Sequence, residues 1–343
     1  MSKDTDKLEE LLQQLGEEPG ALPFSKLYPF SDLSSEVLAS FRAAWDMVPA
    51  ATRRRIVQAM VELAEATFEV SFDAIFRHCL GDVDAEVRAA AIDGLWENEE
   101  VSLIGPLLTM LRNDPSVQVR AAAATGLGRY VLAGELEELE APVQMRILTE
   151  LLTRFHFPEE SIEVRRRAVE SAAYACTPEV VEAVEEAYMD EDERMRLSAI
   201  VGMGRSCDRR WRDIILEELQ NRDPAMRYEA ALAAGGLMLK GAVPLLSGLL
   251  DDADVQVRDA SIWALGQIGG AQARQVLLSA YEGADEDTQA ILEEALAEQA
   301  LLEGQLEFML YELEEDENDD YFDDEFLDLW GDEEDEEDLE EDW

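Results

Sequence analysis

"DADVQVRDASIWALGQIG", residues 252–269, opens on an acid, reaches Val-Arg, and then runs through small residues to a glycine. The same arrangement returns along the chain. Aligned on Arg258, it recurs at Arg88, Arg120, Arg165, Arg196 and Arg227, in "AEVRAAA", "VQVRAAA", "IEVRRRA", "ERMRLSA" and "PAMRYEA", at intervals of 32, 45, 31, 31 and 31 residues. Arg55 lies 33 residues before Arg88 and Gln289 lies 31 after Arg258, which extends the series to about eight units with degenerate ends. A fixed period of this size marks an array in which each unit buries its apolar face only by stacking on its neighbours.

Within a unit, the residues three and six after the arginine are small: Ala91 and Gly94, Ala123 and Gly126, Ala199 and Gly202, Ser261 and Ala264. Those four and seven after it are apolar, as in Ile92 and Leu95 or Ile262 and Leu265. This is helical spacing, with a small flank that permits close approach and a larger pair that fills the seam. A second apolar helix precedes each anchor, as in "VSLIGPLLTMLRND" and "AVPLLSGLLDD", with Asp and Pro marking the turn. The expected fold is all-α, a right-handed α–α superhelix of about seven to eight helix pairs.

The acid also recurs. Asp82, Asp114, Asp190 and Asp252 stand six residues before Arg88, Arg120, Arg196 and Arg258, while Glu159 and Asn221 hold that place before Arg165 and Arg227. An acid closing one turn and a guanidinium opening the next helix can bond within or between units, giving a ladder that fixes the register of the stack. These residues are expected to be structural, because a motif that follows the stacking period serves the stack.

The unit D-x4-V-R-x2-A-x2-A-L-G-x-I-G, nearly literal in 252–269, resembles the HEAT repeat, and the period near 31 is closest to the phycobilisome-lyase type of HEAT-like repeat. The resemblance covers about residues 50–300. It implies a helical solenoid, and it implies function only broadly, since such arrays serve as scaffolds, transport adaptors, lyase subunits and a few enzymes. The 45-residue interval departs from the pattern, with "GELEELEAP" (134–142) read as an insertion.

The ends differ from the middle. Residues 1–48 read as a helical N-terminal cap, with Leu8, Leu11, Leu12 and Leu15 on one face, a Pro- and aromatic-bearing loop, and a helix restarting behind a serine. Residues 49–300 form the array, 301–311 the end of a capping helix, and 312–343 an acidic tail expected to be disordered. The chain carries a net charge of −50, and the tail, with 21 acids and no Lys or Arg, supplies 21 of those charges. Yet Tyr321, Phe322, Phe326, Leu327, Leu329, Trp330 and Trp343 interrupt it, an acid-plus-aromatic alternation that suits recognition of a basic partner with an apolar pocket.

The composition disfavours direct contact with nucleic acid, since phosphate would be repelled. No signal-peptide pattern or membrane-spanning apolar run stands in the sequence, and three cysteines without a CxxC pair suit a reducing, cytoplasmic setting. Each cysteine reads most simply as a small buried residue. Two histidines, His78 and His156, lack the following glutamate that the resemblance to HEAT-like deoxyhypusine hydroxylases would require for iron. No glycine-rich phosphate loop appears, so no catalytic residue, metal or cofactor is expected.

Positions one, five and nine after the arginines face away from the buried seam and should line the inner curve. They give Arg129, Tyr174, Leu197, Val201, Arg205, Tyr228, Leu232 and Trp263, an apolar strip edged by arginine. The expected function is a non-enzymatic scaffold or adaptor for a protein partner, with the tail as a second contact. Two alternatives stand beside it. One is a lyase-like or chaperone-like subunit acting on a bilin protein, which only the resemblance implies; the other is an acidic chaperone or mimic for a basic client.

Overall fold

The computed structural model describes residues 11–12, 22–206 and 208–316, with side chains up to 301. Two short 3-10 turns (Phe24–Lys26 and Tyr28–Phe30) lead into sixteen α-helices. These are α1 (Ser35–Trp45), α2 (Ala50–Ala66), α3 (Asp73–Cys79), α4 (Ala85–Asp93), α5 (Ile104–Asn113), α6 (Val117–Glu135), α7 (Ala141–Phe155) and α8 (Ile162–Ala172). The second half comprises α9 (Pro178–Tyr188), α10 (Glu193–Arg205), α11 (Arg212–Glu218), α12 (Pro224–Gly236), α13 (Val243–Leu249), α14 (Val255–Ile268), α15 (Gly270–Tyr281) and α16 (Glu286–Asp316). No strand occurs among the described residues. Odd helices are the first and even helices the second members of eight pairs.

The small residues explain how the pairs stack. Ala91, Ala123, Ala168, Ala199, Ala230 and Ser261, each three after an anchor arginine, have no exposed surface. With so little side chain between them, every even helix from α2 to α14 packs directly on the next even helix. At Gly204 a Cβ would stand 2.8 Å from the Ala233 backbone, and at Gly235 one would stand 2.6 Å from the Trp263 ring, so these helices approach as closely as glycine permits. The odd helices carry larger side chains such as Leu107, Leu108, Leu148 and Leu151 towards the pair interior and meet one another sparsely. A layer that packs tightly beside one that splays must curve, so the even helices line the inner face.

The arginine ladder has a consistent chemistry. One guanidinium nitrogen donates to the carbonyl six residues back in its own unit: Arg88 to Asp82 (2.8 Å), Arg120 to Asp114 (2.8 Å), Arg196 to Asp190 (2.9 Å), Arg227 to Asn221 (2.8 Å) and Arg258 to Asp252 (2.8 Å). The remaining nitrogens cross to the next unit. Arg88 forks onto Asp114 (2.9 and 2.8 Å) and Arg227 onto Asp252 (2.8 and 2.8 Å), and the longer Arg165–Asp190 contact is 4.0 Å. Each acceptor carboxylate, or the Asn221 amide oxygen, also takes the backbone N–H two residues on, as Asp82 does from Asp84 and Asp252 from Asp254. The second acid of the pair then caps the even helix: Asp84, Asp192, Asp223 and Asp254 each accept from its first turn.

Several rungs depart from sequence expectation. Arg120 forks onto Glu160, not Glu159, at 2.7 and 3.1 Å. The turn between α7 and α8, inside the 45-residue interval, runs over residues 156–161 and is longer than its counterparts at 80–84, 219–223 and 250–254, and the extra methylene of glutamate lets Glu160 take the N–H of Ser161, next along the chain. Arg165 correspondingly donates to the Phe155 carbonyl, ten residues back. At the N-terminal end the rung arises from Arg53, which binds Asp82 at 2.9 Å and the Val48 carbonyl at 2.7 Å, whereas the periodicity pointed to Arg55. Arg196 meets no carboxylate across the joint, because Asn221 stands there, and it pairs instead with its own Glu193 at 3.7 Å.

The cap forms as the aromatics suggest. Phe30, Phe41 and Trp45 are buried, Phe41 stacks on Trp45 at 5.0 Å, Trp45 donates its indole N–H to Asp82 at 2.9 Å, and Ser34 caps α1. Leu12 is buried; Leu8 and Leu15 lie outside the described residues. At the other end α16 continues to Asp316, past the 312 boundary, as Leu and Glu both favour helix and extend it once it is nucleated.

The Arg227–Asp252 rung is largely buried, and Arg227 holds the Asp252 carboxyl below the usual carboxylate range. Removing one partner leaves a desolvated charge, so Arg227→Met should lower unfolding free energy by about 3 kcal/mol, while the paired Arg227→Met, Asp252→Leu change should cost clearly less than the sum of the two single changes. Because the folded-state pKa is depressed, the rung's contribution is full above roughly pH 4 and fades as pH falls through the folded value. Denaturant midpoints of the three variants at neutral and acid pH check this.

Candidate functional site

Sequence placed eight residues on the inner face, and the structure puts them on the even-helix layer. Leu197, Val201 and Arg205 stand on α10, Tyr228 and Leu232 on α12, Trp263 on α14, Arg129 on α6, and Tyr174 just past the end of α8. All are half-buried except Trp263, which is 38% exposed. Several are tied together directly. The Arg205 guanidinium lies 5.1 Å above the Tyr174 ring, the Tyr174 ring edge approaches Gly128 of α6, and the Trp263 ring covers Gly235 of α12. Leu197, Val201, Tyr228 and Leu232 occupy the two helices between these ends.

Arg129 is engaged otherwise than expected. Its guanidinium donates to the Leu95 carbonyl at 2.7 Å and the Trp96 carbonyl at 3.2 Å and lies 4.9 Å from the Tyr130 ring. It closes the carbonyls after α4, with Tyr130 adding a bond to Glu100 at 3.1 Å. Arg129 therefore anchors a turn at the margin of the strip.

Beneath the strip's basic edge lies a network that the periodicity did not single out. Glu170, almost fully buried, accepts from Arg167 at 2.8 Å and from the Ser198 hydroxyl at 2.5 Å, and Ser198 accepts from Arg166 at 2.8 Å. Arg205 donates to the Glu170 carbonyl at 2.9 Å. These bonds lock α8 to α10 and fix Arg205 over Tyr174. The available signal was an acid five after the anchor Arg165, a place that the Arg88 unit also gives to an acid, Asp93, while Val201, Leu232 and Trp263 hold it after Arg196, Arg227 and Arg258.

Glu229 on α12 faces the same cluster. Burial first, and then the neighbouring Glu170 carboxylate, push its carboxyl above the usual range, against the pull of Arg205, Arg166 and Arg167. The centre of the inner face thus joins apolar side chains to arginines whose charge is largely matched from below. Such a surface offers apolar contact and guanidinium planes without a strong field.

The remaining sequence candidates sit elsewhere. Cys79 is fully buried, and burial raises its thiol well above the ordinary range; Cys176 is exposed, contrary to expectation, because it lies in the α8–α9 turn, where its Sγ meets the Ser206 carbonyl at 2.7 Å. Cys207 lies outside the described residues, as do Tyr321, Phe322, Phe326, Leu327, Leu329, Trp330 and Trp343. Burial and Arg42 lower the His78 pKa, and its ring packs edge-on to Phe41. His156 donates from Nδ1 to the Leu152 carbonyl (2.9 Å) and approaches Glu186 at 3.4 Å. It borders an open cleft of about 600 Å³ on the outer layer, lined by Met145, Leu152, Phe157 and Thr177.

Comparison with known proteins agrees with the repeat chemistry. Residues 103–132 match the HEAT repeat, and residues 212–297 match HEAT repeats, stretches that span α5 and most of α6 and run from α11 into α16. No curated protein matches the chain. Among solved structures, an Escherichia coli protein, YibA, is 16% identical with a TM-score of 0.41, over 70% of this chain and 95% of that one. Human deoxyhypusine hydroxylase in complex with glycerol is 17% identical with a TM-score of 0.35, over 87% of this chain and 97% of that one. Importin beta is 13% identical with a TM-score of 0.43, and the likeness spans 86% of this chain but 47% of importin beta.

Glu229→Gln should stabilise the array at neutral pH. A carboxyl whose folded pKa is raised binds more protons folded than unfolded, so stability falls as pH rises through the interval above about 4.3. The amide removes that loss. Thermal midpoints of the two proteins should therefore separate at pH 7 and converge below pH 4.

Proposed function

We propose that the inner face from α8 to α14 holds a segment of a protein partner, the chain acting as a non-enzymatic scaffold or adaptor. The observation that carries this reading is the apolar strip itself. Tyr174, Leu197, Val201, Tyr228, Leu232 and Trp263 occupy positions where surface helices ordinarily carry charge, in a chain with 78 acids. Trp and Tyr with flanking Arg are the side chains from which interface anchors are most often built. The inner layer is rigid, since Gly204 and Gly235 bring its helices into backbone contact, so the surface is preorganised. The HEAT repeats support the same reading, being units that present extended concave surfaces.

The partner that fits is an amphipathic helix or extended segment, with apolar groups for the strip and carboxylates for the exposed side of Arg205. A bilin-transfer assay with spectral readout separates this reading from a lyase-like role, and a steep loss of binding with added salt would favour a basic client instead.

The double substitution Leu232→Glu, Trp263→Glu should reduce capture of a partner from native extract by roughly tenfold or more, with circular dichroism unchanged. Undiminished capture would remove the strip as the binding surface. Lost helicity would show that these side chains serve the stack.

A further inference from the structure

Most described arginines are bonded to a carboxylate or a carbonyl, as the excess of acids favours. Arg42, Arg146, Arg209, Arg212 and Arg222 are the exceptions among the described residues, and of these Arg209 and Arg212 stand three residues apart at one turn. Both are exposed, and neither has a bonded partner among the described residues. Arg209 stands in the α10–α11 turn and Arg212 opens α11, where it lies 3.3 Å from the place a Cβ at Gly241 would take, so the α12–α13 turn adjoins it directly. That second turn brings exposed Lys240 and Met238, the latter 47% exposed, to the same edge of the array. Across residues 205–213 and 236–242 there are five bases and two acids, a local charge of +3 within a chain of −50.

The chain's own C-terminal segment leaves the array along this edge. Gln299 of α16 donates to the Gly270 carbonyl at 3.0 Å, in the α14–α15 turn, the next along the row. From there α16 runs 17 residues to Asp316, about 25 Å, and 27 residues follow. Residues 237–242 lie two helix spacings from α16 and residues 208–212 three, about 20 and 30 Å. Extended chain from Asp316 covers about 34 Å by Phe326 and about 48 Å by Trp330, enough to return and lie across both turns.

We propose that residues 319–330, "DDYFDDEFLDLW", dock in the same molecule on the edge formed by residues 208–212 and 237–242, their carboxylates against Arg209 and Arg212 and their aromatic rings over Met238. Complementarity names the occupant: 319–330 joins six carboxylates to four aromatic rings and is tethered beside an edge that is net basic and bears exposed Met238, whereas the more acidic 332–342 has no ring to offer it. Tethering supplies a local concentration on the order of millimolar, so weak intrinsic affinity is sufficient. This docking is independent of whether the inner strip holds a partner.

Peptide-resolved hydrogen exchange on the full chain tests it. In about 0.05 M salt the amides of 319–330 should exchange roughly tenfold more slowly than in Arg209→Glu, Arg212→Glu, and in about 1 M salt the two proteins should become alike. A tail variant, Asp319→Asn, Asp320→Asn, Asp323→Asn, Asp324→Asn, leaves the array untouched and should lose the same protection. Unprotected amides in the unsubstituted chain at low salt overturn the proposal. Protection that survives the arginine changes overturns the assigned edge, and protection that rises with protein concentration shows that a second copy is the occupant.

Discussion

Everything in this array depends on a guanidinium held between two turns. Each anchor arginine reaches back to a carbonyl of its own unit and, where a carboxylate is present, forward to an acid of the next. The first bond fixes the side chain's rotamer, and the second then measures the offset between units. A fork of two parallel N–H···O bonds tolerates little sliding or rotation, so the repeat that it joins has one register. The same acid shapes its own turn by accepting the N–H two residues on, which presents the following acid as a helix cap. Turn, cap and rung are therefore one device, written as D-x-D-x-x-V-R in its fullest form.

The small residues complete what the rungs begin. Alanine, serine and glycine on the even helices allow backbone approach, while leucines between the members of each pair hold the odd helices outward. Unequal spacing of the two layers gives curvature, and curvature makes the even helices a lining. Residues that would be mundane on a convex surface become a strip on this one. The Glu170 network beneath it answers the arginines from the buried side, which leaves the guanidinium faces flat and the local field small.

The repeating elements were legible because identical demands recur in every unit. The anchor arginines, the buried small positions and the helix pairs could be read from period and helical spacing alone, and so could the register of the inner strip. Legibility ended where a unit departs from its neighbours. Glu160 replaces Glu159 because a longer side chain serves from one residue later, and Arg53 replaces Arg55 because the first turn carries Val48 and Trp45 in place of a regular acid. The role of Arg129 depends on carbonyls left open after α4, over thirty residues away, and Glu170 is buried by helices that no local pattern brings together. Such features arise from tertiary packing at single sites, and a period averages them away.

The most direct test of the central claim is a double-mutant cycle on the Arg88–Asp114 rung, both of whose side chains are largely buried. Unfolding free energies would be measured for Arg88→Met, Asp114→Leu, both together, and the unsubstituted chain. If the rungs pin the stack, the two changes couple by more than about 1.5 kcal/mol, the double variant being far less damaged than the sum. Additivity within about 0.5 kcal/mol would show that the arginine and the acid act separately and that the array holds its register by packing alone.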